Sequence, residues 1–165
     1  MINLINGRGQ LGNILAEKIK QIDTNNNIYL YHTWNIDDKS ENAQIKCYNS
    51  FVDFVVKNKE NRIIFISTAS TNESFYVLYK QLAEAYLISN IKDCLVIRLP
   101  TLIGKGTIEK FKRGLLVPSG TMRLASLNTA SEYIIQLIDY NGLKIKTLEA
   151  PEVPATLIKE ICTGI

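Results

Sequence analysis

Apolar residues recur along the chain with two alternating spacings. Short runs rich in Ile, Leu and Val predict buried strands, and apolar positions repeating every three or four residues predict helices. The predicted strands are residues 2–5, 28–32, 44–47, 62–67, 94–99 and 143–148. The predicted helices are residues 11–22, 51–57, 73–89, 132–138 and 155–162, and the polar stretch 35–43 is predicted as a loop.

This order of elements predicts an α/β fold of the Rossmann type. Strands that alternate with helices form a mostly parallel sheet with helices on both faces. Ligands of such sheets bind beyond the carboxyl ends of the strands. Three polar segments, 6–10, 67–74 and 100–106, follow predicted strands and are the candidate ligand-binding segments.

Composition restricts the class of protein further. The 165 residues, 46% of them hydrophobic, suit one domain spanning 1–165. A net charge of +3 without any basic run argues against a nucleic-acid partner. Three scattered cysteines and a single histidine argue for a reducing compartment and against a metal site. We find neither a signal peptide nor an apolar run of ~20 residues, so we expect a cytoplasmic protein without a membrane partner.

The clearest motif is a glycine-rich loop, Gly7-Arg8-Gly9-Gln10-Leu11-Gly12, between the first strand and the first helix. Glycines let the backbone turn tightly and approach a pyrophosphate, which the N–H groups of the helix N-terminus then bind. We therefore predict a binding site for a nicotinamide dinucleotide. The alternative is an ordinary tight turn between strand and helix.

Two features of the sequence favour NADP(H) over NAD(H). The second strand ends at His32 without the acidic residue that usually holds the ribose hydroxyls of NAD. Arg8 lies in the glycine loop, where it could meet a 2′-phosphate. The alternatives are a solvated Arg8, and a His32 that ends the strand instead of contacting the adenine.

Tyr76 and Lys80 are four residues apart on a predicted helix, so they share a face. A lysine ammonium near a tyrosine stabilises the phenolate, and such a pair can exchange a proton with a substrate hydroxyl. Tyr140 and Lys144 have the same spacing, but they flank the Asn141-Gly142 turn and lack helical geometry. Context therefore favours Tyr76 and Lys80.

Four segments together resemble the extended short-chain dehydrogenase/reductase family, including nucleotide-sugar epimerases, dehydratases and dTDP-4-dehydrorhamnose reductases. Residues 6–12 resemble its cofactor loop, and 64–68 resemble its strand ending in a catalytic Ser or Thr. Residues 76–84, Tyr-x-x-x-Lys-x-x-x-Glu, resemble its catalytic helix. Residues 96–104 resemble the segment that passes the nicotinamide and begins the substrate region.

The resemblance implies roles for individual residues. Thr68 would orient the substrate oxygen, Tyr76 would be the acid/base, and Lys80 would hold the cofactor ribose and tune Tyr76. Ser67 and Pro100 would line the cofactor. The substrate would be a hexose linked to a nucleoside diphosphate, and its phosphates could be contacted by basic residues that are otherwise a solvated surface: Lys105, Lys110, Lys112 and Arg113.

The chain departs from this family in two ways. The family's first loop glycine corresponds to Asn6, a residue type that tolerates left-handed backbone geometry. The chain is also shorter, and residues 101–165 resemble a reduced substrate region. Three functions follow: an NAD(P)-dependent reductase or epimerase for surface polysaccharide synthesis, a non-catalytic dinucleotide-binding module such as a redox sensor or partner subunit, or a structural relative that binds neither ligand. The resemblance also implies a homodimer.

Overall fold

The computed structural model describes residues 1–115, 120–154, 156–158 and 160. The strands are β1 (Ile2–Ile5), β2 (Ile28–Tyr31), β3 (Arg62–Thr68), β4 (Cys94–Leu99), β5 (Thr101–Ile103), β6 (Thr121–Ser126), β7 (Ile145–Thr147) and β8 (Glu152–Pro154). The main sheet contains five parallel strands in the order β1-β2-β3-β4-β7. A smaller sheet contains the other three strands in the order β5-β6-β8. The helices are α1 (Gly9–Ile19), α2 (Glu41–Lys57), α3 (Phe75–Asn90), α4 (Lys105–Lys112) and α5 (Leu127–Gln136).

The three inner strands β2, β3 and β4 are apolar on both faces. Ile64 and Phe65, which point to opposite sides of β3, are both fully buried. Helices cover each side of a parallel sheet, so its central strands are nearly continuous hydrophobic runs. β1 pairs only with β2 within the described residues, and all four of its residues are half-buried. It is therefore an edge strand.

The two faces of the sheet are covered by different helices. Leu11 and Leu15 of α1 pack with Ile134 of α5 against one face. Phe51 of α2 and Leu87 of α3 pack against the other. The predicted fold class, an α/β Rossmann-like sheet with helices on both faces, is confirmed.

The helices that follow β1 and β2 lie on opposite faces of the sheet. β1, β2, β3 and β4 advance in one direction, yet α1 lies on one face while α2 and α3 lie on the other. The connection through α1 thus has the opposite hand to those through α2 and α3, although nearly all such connections share one hand. Adjacent strands β1 and β2 thus send their helices to opposite faces, an arrangement that typically places ligands at the carboxyl ends of the two strands.

The smaller sheet lies after β4 in the chain. β5 pairs with β6 in parallel and β6 pairs with β8 in antiparallel orientation. Leu124 and Ile158 form its own small core with Ile103, Met122 and neighbouring side chains. That residues 101–165 are a reduced substrate region remains a prediction.

One predicted strand is wrong. Residues 44–47 belong to α2, which starts at Glu41, so the predicted loop 35–43 is also three residues too long. The side chain of Ser40 caps this helix by accepting a hydrogen bond from the N–H of Ala43, and Gln44, Phe51 and Val55 form its buried face. The four residues Gln-Ile-Lys-Cys alternate in polarity by coincidence, and four positions are too few to distinguish the two periods.

Most other predicted elements agree with the structure. β5, β6, β8 and α4 were not predicted, and α5 starts five residues before the predicted helix 132–138, at its Ser126 cap. Of the predicted helix 155–162, residues 156–158 and 160 are helical, and the rest lies outside the described residues. Across the described part of the chain, the helices are too short or too polar to cross a membrane.

Candidate functional site

The glycine loop joins β1 to α1 through two residues in left-handed conformation. Asn6 has a φ of 46° and Gly9 a φ of 81°. Asn is among the few residue types that adopt this region readily, so the replacement of a glycine at position 6 preserves the turn. The predicted tolerance of Asn6 is therefore confirmed by its backbone geometry.

Gly12 allows the start of α1 to pack directly against this loop. A Cβ atom on Gly12 would lie 2.5 Å from the carbonyl carbon of Gly7 and 2.6 Å from its oxygen. Both are backbone atoms, so no side-chain rotation could relieve the contact. The helix therefore starts against the loop in a way that only glycine at position 12 permits. Leu11, the preceding residue, is buried and fixes the helix to the sheet.

The N-terminus of α1 points toward the end of the main sheet. Arg8 is its N-cap residue, is exposed, and makes no side-chain capping hydrogen bond within the described residues. The first turn contains no acidic side chain. Its N–H groups and partial positive charge suit an anion such as a pyrophosphate. Gln10 approaches the start of α4, since a Cβ atom on Gly104 would collide with its Oε1.

The end of β3 and the start of α3 bring the three predicted catalytic residues together. Ser74 caps α3 by accepting a hydrogen bond from the N–H of Val77, which sets the first turn that carries Tyr76. The side chain of Thr68 is a hydrogen-bonding partner of the Tyr76 phenol. The ammonium of Lys80 lies 5.3 Å from the centre of the Tyr76 ring.

Lys80 is a buried cation enclosed by aromatic rings. Its Nζ donates a hydrogen bond to the carbonyl oxygen of Ile66 at 3.1 Å. The rings of Trp34 and Phe65 lie 5.4 and 5.5 Å away, close enough for cation–π attraction. Burial nevertheless lowers the pKa of Lys80 to about 7, against the opposing influence of the Glu84 carboxylate.

The Tyr76 phenol is protonated at neutral pH. Burial raises its pKa to about 12, although the hydrogen bond from Thr68 favours the phenolate. This differs from the sequence-based expectation that Lys80 would lower that pKa. The reason is geometric: Lys80 lies over the face of the ring and donates to Ile66, and both groups are withdrawn from water.

Ser67 is hydrogen-bonded to a buried carboxylate on α3. Its hydroxyl donates to Glu84 Oε1 at 2.6 Å, and Arg98 donates to both oxygens of Glu84 at 3.1 and 2.7 Å. These three buried or half-buried side chains join β3, β4 and α3. Ser67 therefore acts as a structural link beneath the site, and its predicted contact with a cofactor remains untested.

The segment after β2 contributes Trp34, which lies against Lys80. The indole N–H of Trp34 donates to Gln44 Oε1 at 2.7 Å, and Gln44, which is fully buried, donates to the carbonyls of Asn35 and Asp38. Sequence reasoning missed this arrangement. The available signal was the chain's only tryptophan in an otherwise polar segment.

His32, the residue after β2, has a buried Nδ1 without a hydrogen-bond partner among the described residues. Burial, aided by the nearby charge of Lys80, lowers its pKa to about 4. The imidazole is therefore neutral at physiological pH. An unpaired buried polar atom is unusual in native proteins and requires an explanation.

The remaining predicted residues lie around the same end of the sheet or on the surface. Pro100 is buried directly after β4, where the N–H of Ala69 donates to the carbonyl of Leu99. Lys110 pairs with Asp37 at 3.7 Å, and Arg113 pairs with Glu109 at 2.9 Å. Lys112 is exposed, and the side chain of Lys105 is outside the described part of the structure.

No known protein-family profile and no curated protein sequence matches this chain. Solved structures do match its fold. A hypothetical dTDP-4-dehydrorhamnose reductase from Sulfolobus tokodaii superposes with a TM-score of 0.77 and 16% identity, over 99% of this chain and 81% of that one. The Bacillus anthracis dTDP-4-dehydrorhamnose reductase in complex with NADP gives 0.78 and 11%, over 99% and 79%.

A third similar structure is the Bordetella bronchiseptica enzyme WbmH in complex with NAD+. It superposes with a TM-score of 0.75 and 13% identity, over 96% of this chain and 79% of that chain. At these identities the comparisons establish a shared Rossmann-like α/β fold. Ligand and activity have to be argued from the site.

Proposed function

We propose that this chain is an NAD(P)-dependent oxidoreductase or epimerase that acts on a nucleotide sugar. The observation that carries the proposal is the convergence of Thr68, Tyr76 and Lys80 at the carboxyl end of the sheet that also carries the glycine loop. Similar structures contain NADP or NAD+, and two are dTDP-4-dehydrorhamnose reductases by name. The proposed cellular role is surface polysaccharide biosynthesis in the cytoplasm.

The geometry of the glycine loop fits a dinucleotide. Gly12 lets α1 approach the loop backbone, and the left-handed Asn6 and Gly9 turn the chain so that helix N–H groups lie at the carboxyl end of β1. A pyrophosphate placed there would be held by backbone donors and by the helix dipole. The bound nicotinamide would supply or accept a hydride.

Within the proposed reaction, Tyr76 is the proton donor. Its phenol is protonated at neutral pH and shares a hydrogen bond with Thr68. Thr68 would hold a substrate carbonyl oxygen beside the phenol, which would donate its proton as the carbonyl becomes a hydroxyl. Lys80 lies over the ring and would hold the cofactor ribose. A positioned acid of this kind typically contributes 10²–10⁴-fold in rate.

The proposed preference for NADP(H) over NAD(H) rests on Arg8 alone. β2 lies between β1 and β3, so the end of β2 is on the Tyr76 side of the glycine loop. An acidic residue there would not face an adenosine ribose beyond the sheet edge, and its absence no longer distinguishes the cofactors. Arg8, exposed in the loop itself, still favours a 2′-phosphate, and we propose NADP(H) as the preferred cofactor.

Replacing Tyr76 tests the mechanism. Oxidation of NADPH with a 4-keto nucleotide sugar is expected to slow by at least 100-fold in Tyr76→Phe, because the acid is lost while the ring packing is kept. Tyr79→Phe is the matched control, since Tyr79 lies on the same helix and its hydroxyl bonds to Glu41 away from the site. Turnover that persists in Tyr76→Phe would refute the assigned role.

A second candidate function is a non-catalytic dinucleotide-binding module, such as a redox sensor or partner subunit. The observation in its favour is that Trp34 and Phe65 enclose the Lys80 ammonium, which donates to Ile66. This candidate predicts that the unmodified protein binds the cofactor but turns over no sugar nucleotide. The same assay distinguishes the two.

A further inference from the structure

The Nδ1 atom of His32 is the starting observation. It is buried and lacks a hydrogen-bond partner among the described residues. A buried acceptor without a donor costs free energy, so its presence calls for a partner outside the chain. The side chain of His32 as a whole is only half-buried, and rotation about Cβ–Cγ moves Nδ1 between the two sides of the ring.

The strand order places His32 between two halves of the proposed site. β1 ends at the glycine loop, β2 ends at His32, and β3 ends at Thr68. Adjacent strands are ~4.8 Å apart, so β1 and β3 are separated by roughly 10 Å across the sheet, with β2 and His32 between them. A ligand that extends from the loop to Tyr76 has to pass His32.

The electrostatics define what His32 can bind. Burial of the ring, aided by the charge of Lys80, keeps the imidazole neutral, with its pKa lowered to about 4. A neutral imidazole has one N–H donor and one acceptor nitrogen, and it does not attract a phosphate. In the tautomer that carries the proton on Nε2, the unpaired Nδ1 accepts a hydrogen bond. The chemistry that matches it is a hydroxyl, which can also accept from the ammonium of Lys80.

On the basis of the proposed function, we propose that His32 Nδ1 accepts a hydrogen bond from a hydroxyl of the ribose on the nicotinamide side of the cofactor. His32 is then a binding residue of the catalytic half of the site. The adenosine half would lie on the far side of the glycine loop, beyond edge strand β1 and out of reach of His32.

Calorimetric titration with NADH, ADP-ribose and ADP tests this assignment. His32→Leu is expected to weaken NADH and ADP-ribose about tenfold, the equivalent of one neutral hydrogen bond, and to leave ADP within about twofold. His32→Asn places an acceptor oxygen close to the original Nδ1, so it should retain most of the affinity. Equal weakening of ADP and NADH would overturn the proposal, as would unchanged affinity for all three.

Thermal unfolding separates a binding role from a structural one. His32→Leu should unfold at the same temperature as the original protein or higher, because it removes an unpaired buried acceptor. A marked decrease would show that His32 stabilises the fold and would overturn the proposal. If the original protein binds neither ADP nor NADH, the proposed function itself fails, which is a different outcome from selective loss in the variant.

Discussion

At the scale of single residues, Lys80 is the clearest case of a charged group whose burial costs free energy. The lysine is 5% exposed, and its ammonium makes one described hydrogen bond, to the carbonyl oxygen of Ile66. Three aromatic faces offset part of the lost hydration. Its lowered pKa shows that the compensation is incomplete. Residues retained at such a cost are frequent at functional sites.

Because burial of the Lys80 ammonium costs free energy, we predict that the difference in unfolding free energy between the protein and its Lys80→Met variant depends on pH. The pKa of Lys80 is about 7 in the folded chain and 10.5 in the unfolded one, so the unfolded state binds more protons between these values. The lysine's contribution therefore becomes more favourable as pH rises through this window. From pH 7 to pH 9, the unfolding free energy of the protein should rise by about 2 kcal/mol relative to the variant.

Urea unfolding at several pH values measures this difference. The pKa values of Tyr31 and Tyr76, raised to about 12, and that of His32, lowered to about 4, lie outside the window and add little to the difference. A difference that stays constant from pH 7 to pH 9 would show that Lys80 is ordinarily hydrated.

Residue-level chemistry was predictable where it depends on local spacing. Tyr76 and Lys80 share a helix face because they are four residues apart, and Asn6 adopts the left-handed turn its residue type allows. The partners of Lys80 were not predictable. Trp34 contacts Lys80 from the segment after β2, where a hydrogen bond to Gln44 holds the indole in place. Contacts between segments far apart in sequence produce no repeating pattern of apolar residues.

At the scale of elements, the close contact between α1 and the glycine loop depends on the absence of a side chain at residue 12. The carbonyl group of Gly7 occupies the space where a Cβ atom of residue 12 would be. Because the obstacle is backbone, the helix or the loop would have to shift. Either movement changes the direction of the N–H groups that the proposed pyrophosphate site requires.

Gly12→Ala is therefore expected to destabilise the protein by about 1–3 kcal/mol, the usual cost of overpacking, despite the better helix propensity of alanine. Cofactor affinity should fall as well. Asn13→Ala is the matched control, because Asn13 is exposed in the same turn. Chemical unfolding and calorimetry measure both effects. If Gly12→Ala behaves like Asn13→Ala, α1 does not contact the loop as described.

The order of the strands within the sheet was harder to predict than whether a segment is a strand or a helix. Most strands and helices followed from hydrophobic spacing, but the four-residue window 44–47 was assigned to a strand and belongs to α2. The position of β1 at the edge of the sheet is a matter of pairing between segments far apart in sequence. No local pattern distinguishes the half-buried β1 from an inner strand until its neighbours are known.

At the scale of the whole molecule, the fold alone leaves three functions open, because related folds carry many activities. An exposed apolar stripe on α3, formed by Phe75, Leu78 and Leu82, is compatible with the predicted homodimer, which remains a prediction. Ligand binding distinguishes the three functions more clearly than the fold does. A ligand that binds only the folded chain raises its unfolding temperature by mass action.

NADPH at 100 times its dissociation constant is expected to stabilise the protein by ~2.7 kcal/mol. For a chain of this size, that corresponds to a rise in unfolding temperature of roughly 5–10 °C. NADH at the same concentration should give a smaller rise, since it lacks the 2′-phosphate proposed to contact Arg8. Differential scanning fluorimetry with the two cofactors measures both.

Arg8→Ala is the matched variant for this experiment, because the exposed Arg8 side chain can be removed without opening the core. The variant should lose the advantage of NADPH over NADH while keeping the smaller rise that both cofactors share through the helix N-terminus. An advantage that survives the substitution would exclude Arg8 as its source. If neither cofactor raises the unfolding temperature, the glycine loop is an ordinary turn and the chain is a structural relative that binds no dinucleotide.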